Sequence, residues 1–420
     1  MDSFGLWIAI ILLAIVVLVG GALGATALMR LRKSTRKLAT LQRSLARGAE
    51  ETDTRLATAE EKLVQTRADF LRAALDHTRA SRVASVDSER AANGKLRVAA
   101  ILDEFSAAGF EPFSQMVHLE PQTWRAQMEE LQPDLFFCES AWSGRDSVKH
   151  PWQGKIYHRL TGETENRIEL LEILAYCKEH GIPSVFWNKE DPLYFDHGER
   201  NFVDTARLFD HVFTTDENCV ARYRAEGFDS VDVLQFAVNP ELYYAPREGT
   251  ARRPEVVFAG SWYHDLPERN RVMTEIFRQV IASPYDLVIY DRHSEAHHPN
   301  HQYPEEFRAY IRPSVSQEEL AQIFREVQFG LTINTVTDSP TMYARRAYEI
   351  LASGAVLLSN YSVGLERDFG EAIVFVDRGS DALAGLSEAE IARLSDLGPK
   401  VVEAHTYEAR WGQILNSVMS

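Results

Sequence analysis

The sequence predicts an α/β fold in which two doubly wound parallel-sheet domains face a cleft, preceded by one transmembrane helix and a helical stalk. Three observations predict it. An uncharged apolar run fills Phe4 to Met29. A proline-free stretch dominated by Ala, Leu, Arg and Glu follows, to about Asn93. From Lys95 onward short apolar runs alternate with helical stretches, as parallel strands covered on both faces require.

Bulk properties narrow the function classes. At 420 residues the chain exceeds one ordinary core and calls for two compact domains plus extras. Hydrophobic residues at 45% against 25% charged give a globular balance, which excludes a disordered chain. A formal net charge of −16 disfavours non-specific nucleic-acid binding by the whole molecule and leaves room only for a local basic pocket. Cys138, Cys177 and Cys219 are scattered without a CxxC pair. They form neither a disulfide framework nor a zinc site, and read as small buried residues in a reducing compartment.

The first element is the span 4–29. About 20 apolar residues cross a bilayer as a helix. Asp2 is the only charged side chain before the span, whereas Arg30, Arg32, Lys33, Arg36 and Lys37 follow it. The positive-inside rule then gives a single-pass protein of the cell (inner) membrane with its C-terminal bulk in the cytoplasm. A cleaved signal is the weaker alternative, because signals have a basic start and a shorter apolar core. The second element is the stalk, 30–93. Leu38 and Leu45 are seven apart with Leu41 between them, and Leu56, Leu63 and Phe70 repeat the spacing. A coiled coil that makes a homodimer and a solvated helical spacer are equal readings of that pattern.

The third element is a first strand–helix domain, 95–240. Its strands are expected at Leu96–Leu102, Asp134–Ser140, Pro183–Asn188 and His211–Asp216, with a further candidate at Val231–Val238. Between them the helix ending "YCKEHG" stops at Gly181. The polar segment Asn239–Glu255 holds three prolines and reads as the interdomain linker. A second domain, 255–385, restarts the alternation at Glu255–Ser261, Tyr285–Asp291, Phe329–Thr335, Ala355–Asn360 and Ala372–Asp377. Helices over 386–420 are expected to return and brace the first domain. Ligands of such sheets bind beyond the carboxyl ends of the strands.

Two strand ends of the second domain carry candidate chemistry. "FAGS" closes a strand with Gly260 and Ser261, and "WYHDLPERNRVM" is expected to open a helix whose free amides cradle phosphate. Arg269 would neutralise a diphosphate there. No G-x-G-x-x-G and no Walker A motif is present, which argues against a dehydrogenase or a P-loop enzyme. In "NTVTDSPTMYARRAYE", Asn334 closes a strand and a helix is expected near Thr341, capped by Ser339 with Pro340 in its first turn. Arg345, Arg346 and Glu349 then fall within about one helical turn. A surface salt-bridge cluster is the alternative. At a cleft, cations for phosphates and a carboxylate for ribose hydroxyls would suit a nucleotide diphosphate.

The string R-x-Y-E-x-x-A-x-G (Arg346 to Gly354), followed by a strand, resembles the donor-site helix of GT-B glycosyltransferases. With "FAGSWYHDLPER", "VIYDR", "SPTMYARRAYEILASG" and "FWNKEDP" it is similar to the CgeB-type, spore-maturation-protein-like branch, over roughly Lys95 to Val376. The resemblance implies a membrane-anchored glycosyltransferase that moves a sugar from a nucleotide-diphosphate sugar to an acceptor, whether glycan, lipid or protein. It implies no tightly bound cofactor and no catalytic metal. Glu349 would hold the ribose, and Arg346 and Arg269 the diphosphate. In the retaining E-x7-E pattern the first glutamate would stand at Thr341, so that motif is incomplete and the stereochemical outcome stays open. A catalytically inactive GT-B scaffold on the stalk is the alternative reading, and a nucleotide-sugar epimerase of the same architecture the third.

The first domain would then supply the acceptor side. Its polar strand ends are "LDEF", "CESAW" and "NKEDP". Asp191 and Glu190, with Asp103 behind them, are the candidate general bases. Helix capping and pairing with Lys189 are the competing roles. Trp142 and Trp187 would stack on a sugar or belong to the core. "HSEAHHPNH" has histidines at zinc-like spacing, but Pro299 breaks a helix there. The tract reads as an exposed loop, from which one histidine, or His264, would contact donor phosphate.

Overall fold

The computed structural model describes residues 57–58, 61–73, 75, 96–159, 165–247, 249–294, 299–379 and 382–419. The chain divides into two compact units, 1–67 and 68–420. The expected membrane span 4–29 and most of the expected stalk lie outside the described residues. Among the described residues no helix is long and apolar enough to cross a membrane. Within the second unit, the helical segment that ends at 73 docks on the first domain. Ala68 and Leu75 join its core, Arg72 pairs with Glu165, and Lys178 Nζ donates to Leu75 O at 2.6 Å.

Both sheets belong to the second unit. The first contains β1 (Arg97–Ile101), β2 (Gln115–His118), β3 (Leu135–Glu139), β4 (Ser184–Asn188), β5 (His211–Thr214) and β6 (Val231–Val233). Their order is β2-β1-β3-β4-β5-β6, all parallel. β3 and β4 are buried along their whole length, which is why they read as continuous apolar runs. β2 gave no such signal: its four residues QMVH form a partly exposed edge strand. The helix Ile168–His180 ends at Gly181 in the left-handed conformation, φ 65°, as a glycine C-cap allows.

The second sheet contains β7 (Arg253–Gly260), β8 (Asp286–Asp291), β9 (Ile311–Arg312), β10 (Val327–Thr332), β11 (Val356–Ser359) and β12 (Ile373–Phe375). The order is β12-β11-β10-β7-β8-β9, again parallel. β7 begins two residues before the expected end of the linker. β9 pairs through only two residues and has no apolar run to announce it.

The C-terminal helices divide between the domains. Glu388–Val402 stays on the second, where Gly398 lies so close to the helix Arg346–Ala352 that a Cβ would sit 3.0 Å from Leu351 O. The chain then recrosses beside the linker: Val238 N donates to His405 O at 3.0 Å and Tyr407 N to Val238 O at 3.2 Å. Tyr407–Met419 lays Tyr407, Trp411, Ile414 and Val418 on the first-sheet core with Val98, Phe137 and Trp187. The segment 386–420 therefore does not brace the first domain as a whole; only its last helix does.

Each sheet has one place where the chain reverses its direction of growth. In the first sheet this is between β1 and β3, and in the second between β7 and β10. Loops diverge there and leave a crevice beyond the carboxyl ends of the strands.

Candidate active site

At the second-sheet switch point the chain puts arginines after three strands. Arg292 directly follows β8, and its backbone N–H donates to Gly260 O at 3.3 Å. Arg269 comes from the helix Pro267–Ile281 after β7, with its Nη1 donating to Ser261 O at 3.1 Å. Arg345 and Arg346 follow β10 and both pair with Glu349, one arginine on each carboxylate oxygen. Glu349 is 1% exposed, and the two arginine side chains 17% and 12%. This is a buried triad, not the surface cluster that helical spacing alone would suggest. Burial lowers the pKa of Arg292 below the usual arginine range, and Arg346 and Arg345 push it the same way against Tyr263 and Glu349. Arg269 is lowered by burial, with Arg292 adding to it. Three arginines thus gather around one buried glutamate with Arg269 next to Arg292, and the mutual repulsion makes the locus ready for an anion.

The helix that carries Glu349 starts at Arg346, not near Thr341. Ser339 caps no helix; its hydroxyl donates to Asp216 Oδ1 at 2.5 Å and accepts from Met342 N at 2.9 Å. Thr341 donates its hydroxyl to Thr215 O at 2.8 Å and accepts from Glu217 N at 2.8 Å. These bonds tie the second domain to the first and spend the polar groups of Ser339 and Thr341 across the interface, so no helix starts there. Asn334 is 4% exposed. It accepts from Ala344 N at 2.8 Å and donates to Ser359 Oγ at 2.9 Å, so it fixes this loop and does not line the site.

The Gly-Ser turn also differs from expectation. After Ser261 the chain makes a loop through Trp262 and Tyr263, and the helix begins only at Pro267. Gly260 O accepts from Tyr303 at 3.2 Å, and the Ser261 hydroxyl is buried without a hydrogen-bond partner. Gly260 and Ser261 shape the wall, while Arg269 reaches the cluster. His293 and His301 stack at 4.0 Å beside Tyr263, and His297 and His298 lie outside the described residues. Among the described residues no group of His, Cys, Asp and Glu could hold a metal ion.

Across the cleft, the first-sheet switch point gathers Asp103 after β1, Glu139 at the end of β3, and Lys189 and Glu190 after β4. Lys189 Nζ bonds Asp103 Oδ2 and Glu139 Oε1, both at 2.8 Å. Asp103 also accepts the backbone N–H groups of Trp142, Ser143 and Gly144 at 2.9 to 3.0 Å, so it pins that loop. Burial pulls the Lys189 pKa down, but Asp103, Glu139 and Glu190 outweigh it and hold the ammonium charged. Burial would raise Asp103, yet Lys189 and the backbone donors bring it below the usual carboxylate range. Burial raises Glu139 and Glu190, with Lys189 only partly opposing. Glu190 is half-buried beside Trp142, whose ring meets Tyr194 at 5.3 Å.

Asp191 does not join this group. It is fully buried and accepts from Asn188 Nδ2 at 2.8 Å, Thr214 Oγ1 at 2.7 Å and Tyr223 OH at 2.9 Å. It is an internal anchor, turned away from the cleft, which removes it from the candidate bases. Trp187 likewise sits in the core, its indole N–H donating to Leu234 O at 2.9 Å. Burial pushes the Asp191 pKa up to about 7. A raised carboxyl binds its proton more tightly in the folded state, so its contribution to stability falls as pH rises from about 4, the unfolded value, to about 7. Asp191→Asn is expected to flatten the pH dependence of the denaturation midpoint across this window, since the Thr214 and Tyr223 hydroxyls can turn to accept. An unchanged slope would refute the assignment.

The two switch points meet. The Phe105 ring of the first domain lies 4.2 Å from the Arg345 guanidinium and 5.9 Å from that of Arg292. Tyr407 feels burial first, then Arg345 and Glu349 from the second domain and Glu139 and Lys189 from the first. Motif spacing finds neither Phe105 nor Tyr407, and Arg292 enters only as the last residue of VIYDR, with no role assigned. For Arg292 the available signal was its place one residue past a parallel strand; the other two had none.

Residues 269–416 match a family model described as glycosyl transferase-like. No curated protein matches the sequence significantly. Among solved structures, an alpha-glucosyltransferase in complex with UDP-glucose and DNA containing an abasic site aligns with TM-score 0.54 at 9% identity, covering 78% of this chain and 100% of that one. An alpha-glucosyltransferase in complex with UDP gives TM-score 0.52 at 9% identity with the same coverages. At such identity the likeness concerns the fold, and the two parallel-sheet domains are consistent with GT-B. Residues 269–416, which run from the helix after β7 to the last helix, are thus glycosyl transferase-like in sequence.

Proposed function

We propose that the protein transfers a sugar from a nucleotide-diphosphate sugar to an acceptor hydroxyl, as a GT-B enzyme of the CgeB-type branch anchored in the membrane by residues 4–29, with its two sheets in the cytoplasm. The observation that carries this reading is the pairing of Arg345 and Arg346 with Glu349 at the second-sheet switch point, with Arg292 close to all three and Arg269 next to Arg292. The arginines would take the diphosphate and Glu349 the ribose hydroxyls. The similar alpha-glucosyltransferase structures hold UDP or UDP-glucose, which supports a donor of that class.

In the transfer, the bond from the anomeric carbon to the diphosphate oxygen breaks and a bond to the acceptor oxygen forms. The nucleoside diphosphate leaves with the electron pair, its charge neutralised by the arginines. The acceptor proton passes to Glu190, which burial makes a stronger base than an ordinary carboxylate. Lys189 and Asp103 hold the loops that frame it. Trp142 offers an acceptor sugar an aromatic face.

Calorimetric titration with a panel of nucleoside diphosphates tests the donor site. Arg292→Ala is expected to weaken binding roughly tenfold or more, the worth of a charge-assisted contact. No binding by the wild type, or binding indifferent to Arg292→Ala and Arg346→Ala, would sink the assignment. One observation favours a second reading. Thr341, where a retaining enzyme would carry its first glutamate, is committed to the interdomain contact. Donor binding without hydrolysis or transfer would select a binding scaffold.

A further inference from the structure

Both stretches of chain that cross between the domains place a tyrosine at the buried triad. Tyr243 lies on the linker and belongs to the same buried cluster as Ala347, Tyr348 and Ile350 of the Glu349 helix. Tyr407 lies on the return crossing, fixed by its backbone bond to Val238 and by a ring packed so closely on Gly109 that a Cβ there would meet it at 2.6 Å. The two residues are 3% and 4% exposed; the Tyr243 hydroxyl is buried without a hydrogen-bond partner, and the Tyr407 hydroxyl is buried against Arg345 without a well-aligned bond. Such groups cost stability unless another state uses them. Tyr243 interacts electrostatically with Glu349, Arg346, Arg345 and Tyr407, and Tyr407 with Arg345 and Glu349.

The proposed donor reading, on which this inference rests, contains a conflict. Arg345 and Arg346 are both spent on Glu349 in the unligated protein. To bind a diphosphate they must turn from it, and a buried carboxylate stripped of two cations is strongly unfavourable. A carboxylate has about four acceptor sites, so other donors can replace them. We propose that Tyr243 and Tyr407 are positioning residues that take over Glu349 when the diphosphate draws Arg345 and Arg346 away. The exchange keeps Glu349 hydrogen-bonded and oriented for ribose, and it ties donor binding to both interdomain crossings.

The test compares the wild type, Tyr243→Phe, Tyr407→Phe and the double Phe variant, each with and without Glu349→Gln. Unligated thermal unfolding is measured, with calorimetric binding of UDP and of inorganic pyrophosphate. The double Phe variant is expected to melt at or above the wild-type temperature, because neither deleted hydroxyl makes a well-aligned hydrogen bond. It is expected to bind both probes roughly tenfold or more weakly, since the arginines stay locked. With Glu349→Gln, whose neutral amide releases the arginines, the Phe substitutions are expected to leave pyrophosphate binding unchanged. Wild-type affinity in the double Phe variant overturns the inference and leaves the donor reading standing. So does an equal loss in the Glu349→Gln background, or a lowered unligated melting temperature not separable from the binding loss. A wild-type protein that binds neither probe overturns the donor reading and this inference together.

Discussion

Glu349→Ala is expected to lower the free energy of unfolding by about 3–5 kcal/mol, the cost of breaking a buried ion pair by removing one partner. Glu349 is 1% exposed and is the shared partner of Arg345 and Arg346. Without it these arginines keep their charge in the same confined space, with Arg292 and Arg269 beside them. The loss should shrink in phosphate or pyrophosphate buffer, because an anion can take the vacated role. The same variant should lose any preference for a nucleoside diphosphate over inorganic pyrophosphate, since Glu349 is the proposed ribose ligand. Denaturant unfolding in chloride and in phosphate, with parallel titrations of the two ligands, measures both. Equal stability of variant and wild type in chloride would show that the triad is not energetically coupled, and retained nucleoside preference would move the ribose site elsewhere.

Lys189→Met should be comparably damaging, about 3–5 kcal/mol near neutral pH. The lysine holds Asp103 and Glu139 together at 2.8 Å each, and Glu139 is fully buried. Removing the ammonium leaves two neighbouring carboxylates facing one another. Asp103 keeps its three backbone donors, so Glu139, already raised by burial, is the group that takes up a proton. The sign follows: in the variant the folded-state pKa of Glu139 rises further above its unfolded value. Folded protein then binds more protons than unfolded, and the variant recovers stability as pH falls and loses it as pH rises. In the wild type, the depressed pKa of Asp103 works the other way, giving stability above the unfolded value that is lost as pH falls through the folded one. Denaturation midpoints of both proteins from pH 5 to pH 8 should diverge with rising pH. Parallel curves would reject the lysine as the holder of this cluster.

Legibility in the sequence followed local signals. Strands buried on both faces, such as LFFCE and SVFWN, announce themselves as apolar runs. Edge strands β2 and β9 do not, because partial exposure and short pairing leave no pattern. Arg345, Arg346 and Glu349 were recognisable by motif, and Glu190 and Asp103 by their places at strand ends. Asp191 shared those signals and was misplaced by them. The chain direction after β4, which no local pattern encodes, turns it into the cluster with Asn188, Thr214 and Tyr223. The helix start near Thr341 failed for a related reason: residues 339–341 have good capping chemistry, but Asp216, Thr215 and Glu217 of the other domain claim it.

The sequence by itself determined the two-domain α/β class, most of the strands, the glycine stop at Gly181 and the grouping of Arg345, Arg346 and Glu349, because each depends on residues near in the chain. Tertiary structure alone decided that Glu349 is buried between its arginines, that Arg292 joins them, and that Phe105, Tyr243 and Tyr407 reach the same place from distant segments. Strand order brings the β7, β8 and β10 ends to one crevice, and the double crossing presses the domains together there. Burial and charge proximity arise only from such long-range contacts, so the chemistry of this cleft was written in the sequence as residue types but not as a site.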